Sequence, residues 1–325
     1  MTRYYFKKVS ELALLLIGIT FISFLEIRLA PGTPIDAKSE FNPKMTAQAK
    51  EKLKSLYGLD RPLLTQYADW AWRIARLDFG SSFVDGEKVI SKIGKAVPIT
   101  LMISLLSLFL IFLAGIPLGI AGAVKKGTLT DRWLTFLSLA GFSLPTFWVA
   151  LLLMSFFGVK LGVLPVAGIH SLFYEEMNGW EQGIDLARHL LLPVLVASIT
   201  GIAGISRYAR NNFSEVLRQN YIRTARAKGL PENKVLYRHA LRNALLPVIT
   251  LLGLSIPGLL GGSVIFETIF SIPGMGRLFF NSVFARDYPV IMGMLVLGAV
   301  MTLAANRLAD FAYGLADPRI RKERR

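Results

Sequence analysis

Polar and apolar positions in this chain are arranged in blocks rather than residue by residue. Six long apolar stretches lie near 9–29, 97–124, 133–157, 189–208, 245–266 and 290–311, and charge is dense between them. A helix needs about 20 apolar residues to cross the hydrocarbon core of a bilayer. Each stretch reaches that length. Open sheet edges cannot face lipid, so each stretch predicts a membrane-spanning helix. The predicted fold is therefore all-α, a polytopic membrane helical bundle of about six transmembrane helices. Pro117, Pro145, Pro193, Pro247 and Pro257 lie inside the stretches and predict kinks of the kind bundled helices tolerate. Gly115, Gly119 and Gly122 form one small-residue face, and Gly253, Gly258, Gly261 and Gly262 another. Both read as sites of close helix packing, with direct solute contact as the alternative.

Composition agrees with the pattern. Of 325 residues, 53% are hydrophobic and only 18% charged, which suits a membrane protein rather than a soluble domain. The net charge of +15 raises nucleic acid as a partner, but the basic residues sit at the ends of apolar runs and no nucleic-acid module is present. Nucleic acid is excluded on that distribution. There is no cysteine, hence no thiolate or disulfide chemistry. The first apolar run follows Arg3, Lys7 and Lys8 like a secretory signal, yet no convincing small-residue cleavage site follows it. It reads as a retained first span.

Lysine and arginine counts orient the bundle. With a cytoplasmic N-terminus, the inside segments are 1–8, 124–132, 207–243 and 312–325. Segment 207–243 alone holds nine basic residues, whereas the outside loops 159–188 and 267–288 hold two each. Segment 31–95 has eleven, offset by eight acids, and is long enough to form a small outside element. The expected topology is N-in and C-in.

Two of the polar segments carry local structure. In the outside segment, Thr46 caps a predicted helix over 46–57 and Gly58 stops it. A second amphipathic helix is predicted over 63–77, with Tyr67, Trp70 and Trp72. Such aromatics favour a membrane interface, while packing on the outer face of the bundle accounts for them equally well. Inside, residues 213–228 predict a helix, Gly229 a stop, and Pro231 with Glu232 the start of another. Composition leaves two readings of this basic helix–Gly–helix: a solvated positive loop, or a rigid peg that docks into a partner.

The stretch Tyr221-Ile-Arg-Thr-Ala-Arg-Ala-Lys-Gly229, followed by Arg238-His-Ala-Leu-Arg-Asn-Ala-Leu-Leu-Pro247, resembles the cytoplasmic coupling loop of binding-protein-dependent ABC importer permeases. It is most similar to the dipeptide/oligopeptide/nickel group. Arg28-Leu-Ala-Pro-Gly32, Leu59-Asp-Arg-Pro-Leu-Leu-Thr-Gln-Tyr67, Phe270-Ser-Ile-Pro-Gly-Met-Gly-Arg277, Arg286-Asp-Tyr-Pro289 and Ala316-Asp-Pro-Arg-Ile-Arg321 extend the resemblance along the chain in order. The general permease loop opens with Glu-Ala-Ala, whereas this chain has Arg223, Thr224 and Ala225. The interval from Gly229 to Pro247 is also longer than in the general pattern, and both departures are usual in the peptide group.

The resemblance implies a half-transporter in the cytoplasmic (inner) membrane, forming half of a translocation path for di- or oligopeptides. Its implied partners are two ABC ATPase subunits, a second homologous permease subunit, an extracytoplasmic solute-binding protein and the lipid bilayer. Nickel chelates, glutathione and oligosaccharides are alternative solutes within the same group. The expected organisation is 1–30 for the N-terminus and first span, and 31–96 for the outside segment. Residues 97–312 would form a five-span core with its coupling loop at 210–243, and 313–325 a basic tail. Arg223, Ala225, Arg226, Gly229, Leu230 and Pro231 are the expected coupling residues. Gly229 would supply a backbone turn that costs other residues more.

No catalytic role is expected in this chain. Gly122-Ala-Val-Lys-Lys-Gly127-Thr128 lacks a lysine after the second glycine and is not a phosphate-binding loop, so ATP and Mg would belong to the partner ATPases. His170, His189 and His239 match no zinc spacing, and no metal is expected. Ionisable residues at the span ends are Glu26, Arg28, Glu267, Arg307 and Asp310. They suggest snorkelling or mutual pairing, with a gating or pathway role as the alternative; Glu267 and Pro257 are the candidates for that role. An ion-driven secondary transporter is the competing class. It would call for an internal repeat and a charge near the midplane, and neither is evident.

Overall fold

The computed structural model describes residues 2–41 and 45–316, which are helical apart from turns, coil and one isolated bridge between Ser81 and Lys88. In chain order the helices are α1 (Thr2–Leu29), α2 (Pro34–Phe41), α3 (Ala47–Leu56), α4 (Leu63–Ala75) and α5 (Val89–Val124). Next come α6 (Leu129–Ser143), α7 (Thr146–Leu153), α8 (Gly179–Val216), α9 (Asn220–Ala227) and α10 (Glu232–Lys234). The last are α11 (Leu241–Ala244), α12 (Leu246–Ser255), α13 (Val264–Ile269), α14 (Met275–Phe284) and α15 (Tyr288–Ala316). The expected motif from Asp317 onward, and the side chains of Pro257 and Asp310, lie outside the described residues.

Among the described residues, α5, α8 and the Tyr288–Arg307 part of α15 are each long and apolar enough to cross a membrane. Leu129–Ser143 and Thr146–Lys160 make a fourth if counted together, but they are bent by 101°. The stretch 133–157, expected as one span, therefore contains an elbow. Its cause is Pro145. Leu144 is pushed to an extended ψ of 129°, as residues before proline are, and Pro145 itself follows at ψ 127°. The stretch 245–266 is likewise broken into α12, a 3₁₀ segment at Ile256–Leu260 and α13. Proline at 257 supplies no amide, and Gly262 takes φ +62°.

The chain forms two compact units, Met1–Pro98 with Gly274–Ala304, and Ile99–Pro273 with Ala305–Arg325. In the first, Val89, Ile93, Ala96, Met275, Val290 and Met294 make the core. Buried Asp287, just before α15, accepts a hydrogen bond from the Ser82 hydroxyl and one of 2.8 Å from the Phe83 amide. Those bonds fasten the 78–88 turn. Arg28 lies over the Tyr288 ring at 4.7 Å and the Phe24 ring at 5.3 Å, which satisfies its charge near the end of α1.

In the second unit one core gathers Ile103, Ala150, Leu190, Leu192, Val196, Phe266, Phe270 and Ile272. The glycine face of α5 meets α8. A Cβ on Gly119 would lie 2.4 Å from the Ser206 carbonyl, and one on Gly115 2.9 Å from Ile205 Cγ2. These two glycines therefore serve close helix packing.

Candidate functional site: the 210–243 hairpin and a hydroxyl-lined cavity

The 210–243 segment is built from the end of α8 to the start of α11. The helix expected over 213–228 is interrupted. Helix α8 ends at Val216, a turn takes Leu217–Gln219, and α9 starts at Asn220. Helix α9 then closes by a local rule of its own. Gly229 takes φ +75°, its amide donates to the Arg226 carbonyl at 2.9 Å, and the Leu230 amide donates to the Ala225 carbonyl at 3.4 Å. This is the left-handed glycine cap in which two orphan carbonyls are satisfied and an apolar residue folds back on the helix. Leu230 is that residue, and it packs against the same core as Ala225. Pro231 at ψ 142° then leads into α10, with Glu232 in its first turn.

Beneath the surface the hairpin has its own core of Phe213, Ile222, Ala225, Val235, Ala240 and Ala244, joined by Ala123 of α5. Ile222, Val235 and Ala240 are wholly excluded from solvent. Ala225 faces this core, so it contributes to the hairpin from within. Arg223, Arg226, Lys228, Gly229 and Pro231 are exposed.

Arg226 is tied within the hairpin. Its Nη2 donates to Glu232 Oε1 at 2.6 Å and its Nε to Oε2 at 3.1 Å. Arg226 therefore holds the Glu232 carboxyl below its usual range and is itself raised by that carboxylate. The sequence supplies Glu232 as a helix-start acid; its second use, bracing α9 against α10 across Gly229, emerges only in three dimensions. Asn243 Nδ2 also donates to the Tyr221 hydroxyl at 2.9 Å, linking α11 to α9.

The hairpin's root is fixed by a pair that the sequence does not announce. Arg210 donates to both oxygens of Asp131, Nε to Oδ1 at 2.7 Å and Nη2 to Oδ2 at 2.9 Å. Asp131 is buried, and Oδ2 accepts a further bond of 2.9 Å from the Gly127 amide. Gly122 makes room for the pair, since a Cβ there would lie 3.1 Å from Arg210 Cδ.

Glu267 lies elsewhere in the second unit, in α13, and is buried. It borders a cavity of about 710 Å³ whose lining residues include Thr100, Ser104, Ser107, Thr146, Ser255 and Ser263. Thr100 Oγ1 donates to Glu267 Oε1 at 3.0 Å. The Pro145 elbow and the broken α12–α13 stretch form part of the same wall. The two breaks thus bring backbone irregularity to a cavity, where it is tolerated at membrane depth. Position 257, the other pathway candidate, falls in the 3₁₀ segment of that stretch.

Residues 115–322 match the family described as "Binding-protein-dependent transport system inner membrane component". The oligopeptide transport system permease protein AppB of Bacillus subtilis is 43% identical over 307 residues, covering 94% of this chain and 95% of that protein. The di/tripeptide transport system permease protein DppB of Pseudomonas aeruginosa is 40% identical over 323 residues, covering 94% and 95%. A solved structure titled as inward-facing conformations of the MetNI methionine ABC transporter is 16% identical, with a TM-score of 0.49. That match covers 69% of this chain and 97% of the solved one. With a family match over well more than half its length and relatives of this identity end to end, the chain belongs to the inner-membrane components of binding-protein-dependent transport systems.

Proposed function

We propose that this chain is a membrane-spanning permease subunit of an ATP-driven importer for di- or oligopeptides. The similarity to AppB and DppB along nearly the whole chain carries this reading. Six spans with both termini inside remain the expected topology. The 207–243 segment would then face the cytoplasm, where its nine basic residues belong.

On this reading the 210–243 hairpin is the coupling element. Exposed Arg223, Lys228 and Pro231 would meet a groove on a partner ATPase, and Arg226, held by Glu232, would stiffen the tip. ATP and Mg are bound and turned over by the two ATPase partners. Closure of that pair would move the hairpin, and the Arg210–Asp131 pair would pass the movement to α8 and α6. The hydroxyl-lined cavity beside Glu267 is the segment of the path contributed by this subunit, completed by a second homologous permease. A solute-binding protein delivers the peptide. The cavity's hydroxyls suit peptide amides, which need both donors and acceptors.

The test is purification of the tagged chain in mild detergent, mass spectrometry of what remains bound, and an ATPase assay on the eluate. Co-purification of a nucleotide-binding ATPase and a second polytopic subunit is the expected result. A chain that purifies alone, without ATPase activity and without crosslinks from the hairpin, would overturn the reading.

A further inference from the structure

The outside segment holds the feature left unexplained by the transport reading, the aromatic helix α4. The family model matches residues 115–322, and α4 lies outside the matched residues. Three faces can be read on α4. Tyr67 packs on α1: its ring meets Phe21 at 5.0 Å and Phe24 at 5.5 Å, and its hydroxyl is 3.0 Å from Thr20 Oγ1. The same hydroxyl donates to the Ile17 carbonyl at 3.2 Å. Trp70, Ala71 and Ile74 share this partly covered face. Thr65, Asp69 and Arg73 form a polar face, on which Asp69 pairs with Arg61 and Arg73 with Asp78, each at 2.9 Å.

The third face is apolar and uncovered. Leu64, Ala68, Trp72 and Ala75 recur at steps of four, four and three, which places them on one stripe of a helix, and all four are exposed. Leu64 is 71% and Trp72 62% exposed. Helix α4 is thus apolar on two adjoining sides and polar on the third. A water-exposed helix packed on a protein needs only one apolar side.

The depth of the contact with α1 says what covers the other apolar side. The apolar run of α1 ends at Leu25, before Glu26. Thr20 lies six residues inward of Glu26, which at the helical rise is about 9 Å inside that boundary. Tyr67 therefore reaches below the polar edge of α1. The α1 surface at the same level exposes Ile17, Ile19 and Ile22, and the α4 stripe is exposed as they are. Arg76 stacks over Trp72 at 4.5 Å, an arrangement suited to a cation at the headgroup level above an inserted ring.

We infer that α4 lies in the outer lipid–water interface, with Leu64, Ala68, Trp72 and Ala75 set against acyl chains and Arg73 and Arg76 at the headgroups. The partner of this surface is lipid, not the solute-binding protein or a second membrane subunit. The inference rests on α1 being a span, as the proposed topology has it. Helix α4 would then anchor the outside segment to the membrane as an interfacial amphipathic helix does.

The chain has no cysteine, so single cysteines can be labelled with a nitroxide in the assembled complex in liposomes. Leu64→Cys, Ala68→Cys and Trp72→Cys would be compared with Thr65→Cys, and with Ile22→Cys on α1. The expected result is a ratio of oxygen to water-soluble nickel-chelate collisions several-fold higher at 64, 68 and 72 than at 65, unchanged when binding protein is added. Nickel-chelate access at 64, 68 and 72 equal to that at 65, with Ile22→Cys still in lipid, would overturn the inference and leave the span intact. Loss of both collision signals on adding binding protein would overturn it in favour of a protein-docking surface. A water-exposed Ile22→Cys would overturn both the first span and the inference. Ala68→Cys removes almost no packing, so it reads the stripe even if Trp72→Cys disturbs the fold.

Discussion

The 31–96 segment and the 210–243 hairpin use the same local device and are held in opposite ways. Each has a helix closed by a left-handed glycine. Gly58 at φ +64° ends α3, with amide bonds from Gly58 to Ser55 and from Leu59 to Lys54; Gly229 at φ +75° ends α9 in the same pattern. Beneath α9 lies a sealed apolar core, whereas neither α3 nor α4 buries a single residue. Helices α3 and α4 are held instead by tyrosine, ion pairs and ring contacts. An apolar core has few alternative packings, so the hairpin is suited to transmitting displacement. The 31–96 segment is suited to holding position at a surface.

The largest expected effect breaks this comparison at its base. Ile222→Ala empties part of the hairpin core and should cost about 2–5 kcal/mol. Leu56→Ala in α3, at a site 70% exposed, should stay within about 0.5 kcal/mol. Thermal unfolding of the purified complex measures both, and equal losses would contradict the contrast.

The glycines come next. Neither has an atom within 4 Å of a built Cβ, so Gly229→Val and Gly58→Val suffer the same backbone strain, about 1–2 kcal/mol. The functional outcomes should differ. Gly229→Val should insert normally yet lose solute uptake roughly tenfold while ATP hydrolysis persists, which corresponds to a rise of about 1.4 kcal/mol in the barrier to uptake. Gly58→Val should transport normally. Uptake and ATPase assays in proteoliposomes separate the two, and normal uptake by Gly229→Val would refute the rigid-peg account.

Tyr67→Phe sharpens the other half of the contrast. It keeps the ring contacts with Phe21 and Phe24 and removes the hydroxyl's bonds to Thr20 and Ile17. A loss of about 0.5–1.5 kcal/mol is expected. Protease sensitivity of the outside segment should rise while transport falls little.

The smallest effect belongs to Arg226 and Glu232, both substantially exposed at 42% and 54%. An ion pair of this exposure is worth about 0.2–1 kcal/mol. Glu232 is held below its usual value by Arg226, so the pair's contribution is present above the ordinary glutamate pKa of about 4.3 and is lost as pH falls through the lowered value. Hydrogen-exchange protection in α9 of wild type, taken relative to the intrinsic exchange rate at each pH, should therefore fall as Glu232 is protonated below the ordinary glutamate range. In Glu232→Gln that part of the loss of protection should be absent.

What the sequence reveals here is local. Thr46 as a cap, with its side chain accepting from Ala49 at 3.2 Å, follows from residue type and spacing, as do the stops at Gly58 and Gly229. The starts that use Pro231 and Glu232 are equally legible. The breaks are harder to see because apolar runs hide them. Hydrophobicity is continuous through Leu144–Pro145 and through 256–263, and only geometry reveals the 101° elbow and the 3₁₀ interruption. Pairs distant in sequence leave no signal at all. Asp131 and Arg210 are 79 positions apart, and Ser82 and Asp287 205. Ala225 is legible as a member of the hairpin, but its inward direction depends on the turn at Leu217–Gln219, which periodicity does not report.

Docking of the hairpin tip into a partner ATPase can be tested at a single exposed position. Arg223→Cys adds the sole thiol of this chain to an exposed position on α9, and a short crosslinker with one thiol-reactive and one photoreactive end, used in native membranes, would report its neighbour. The expected result is a crosslink to a nucleotide-binding subunit that changes in yield when ATP is bound. A thiol at position 223 that reacts freely with water-soluble maleimide and yields no crosslink to any ATPase, in membranes that transport solute, would contradict it.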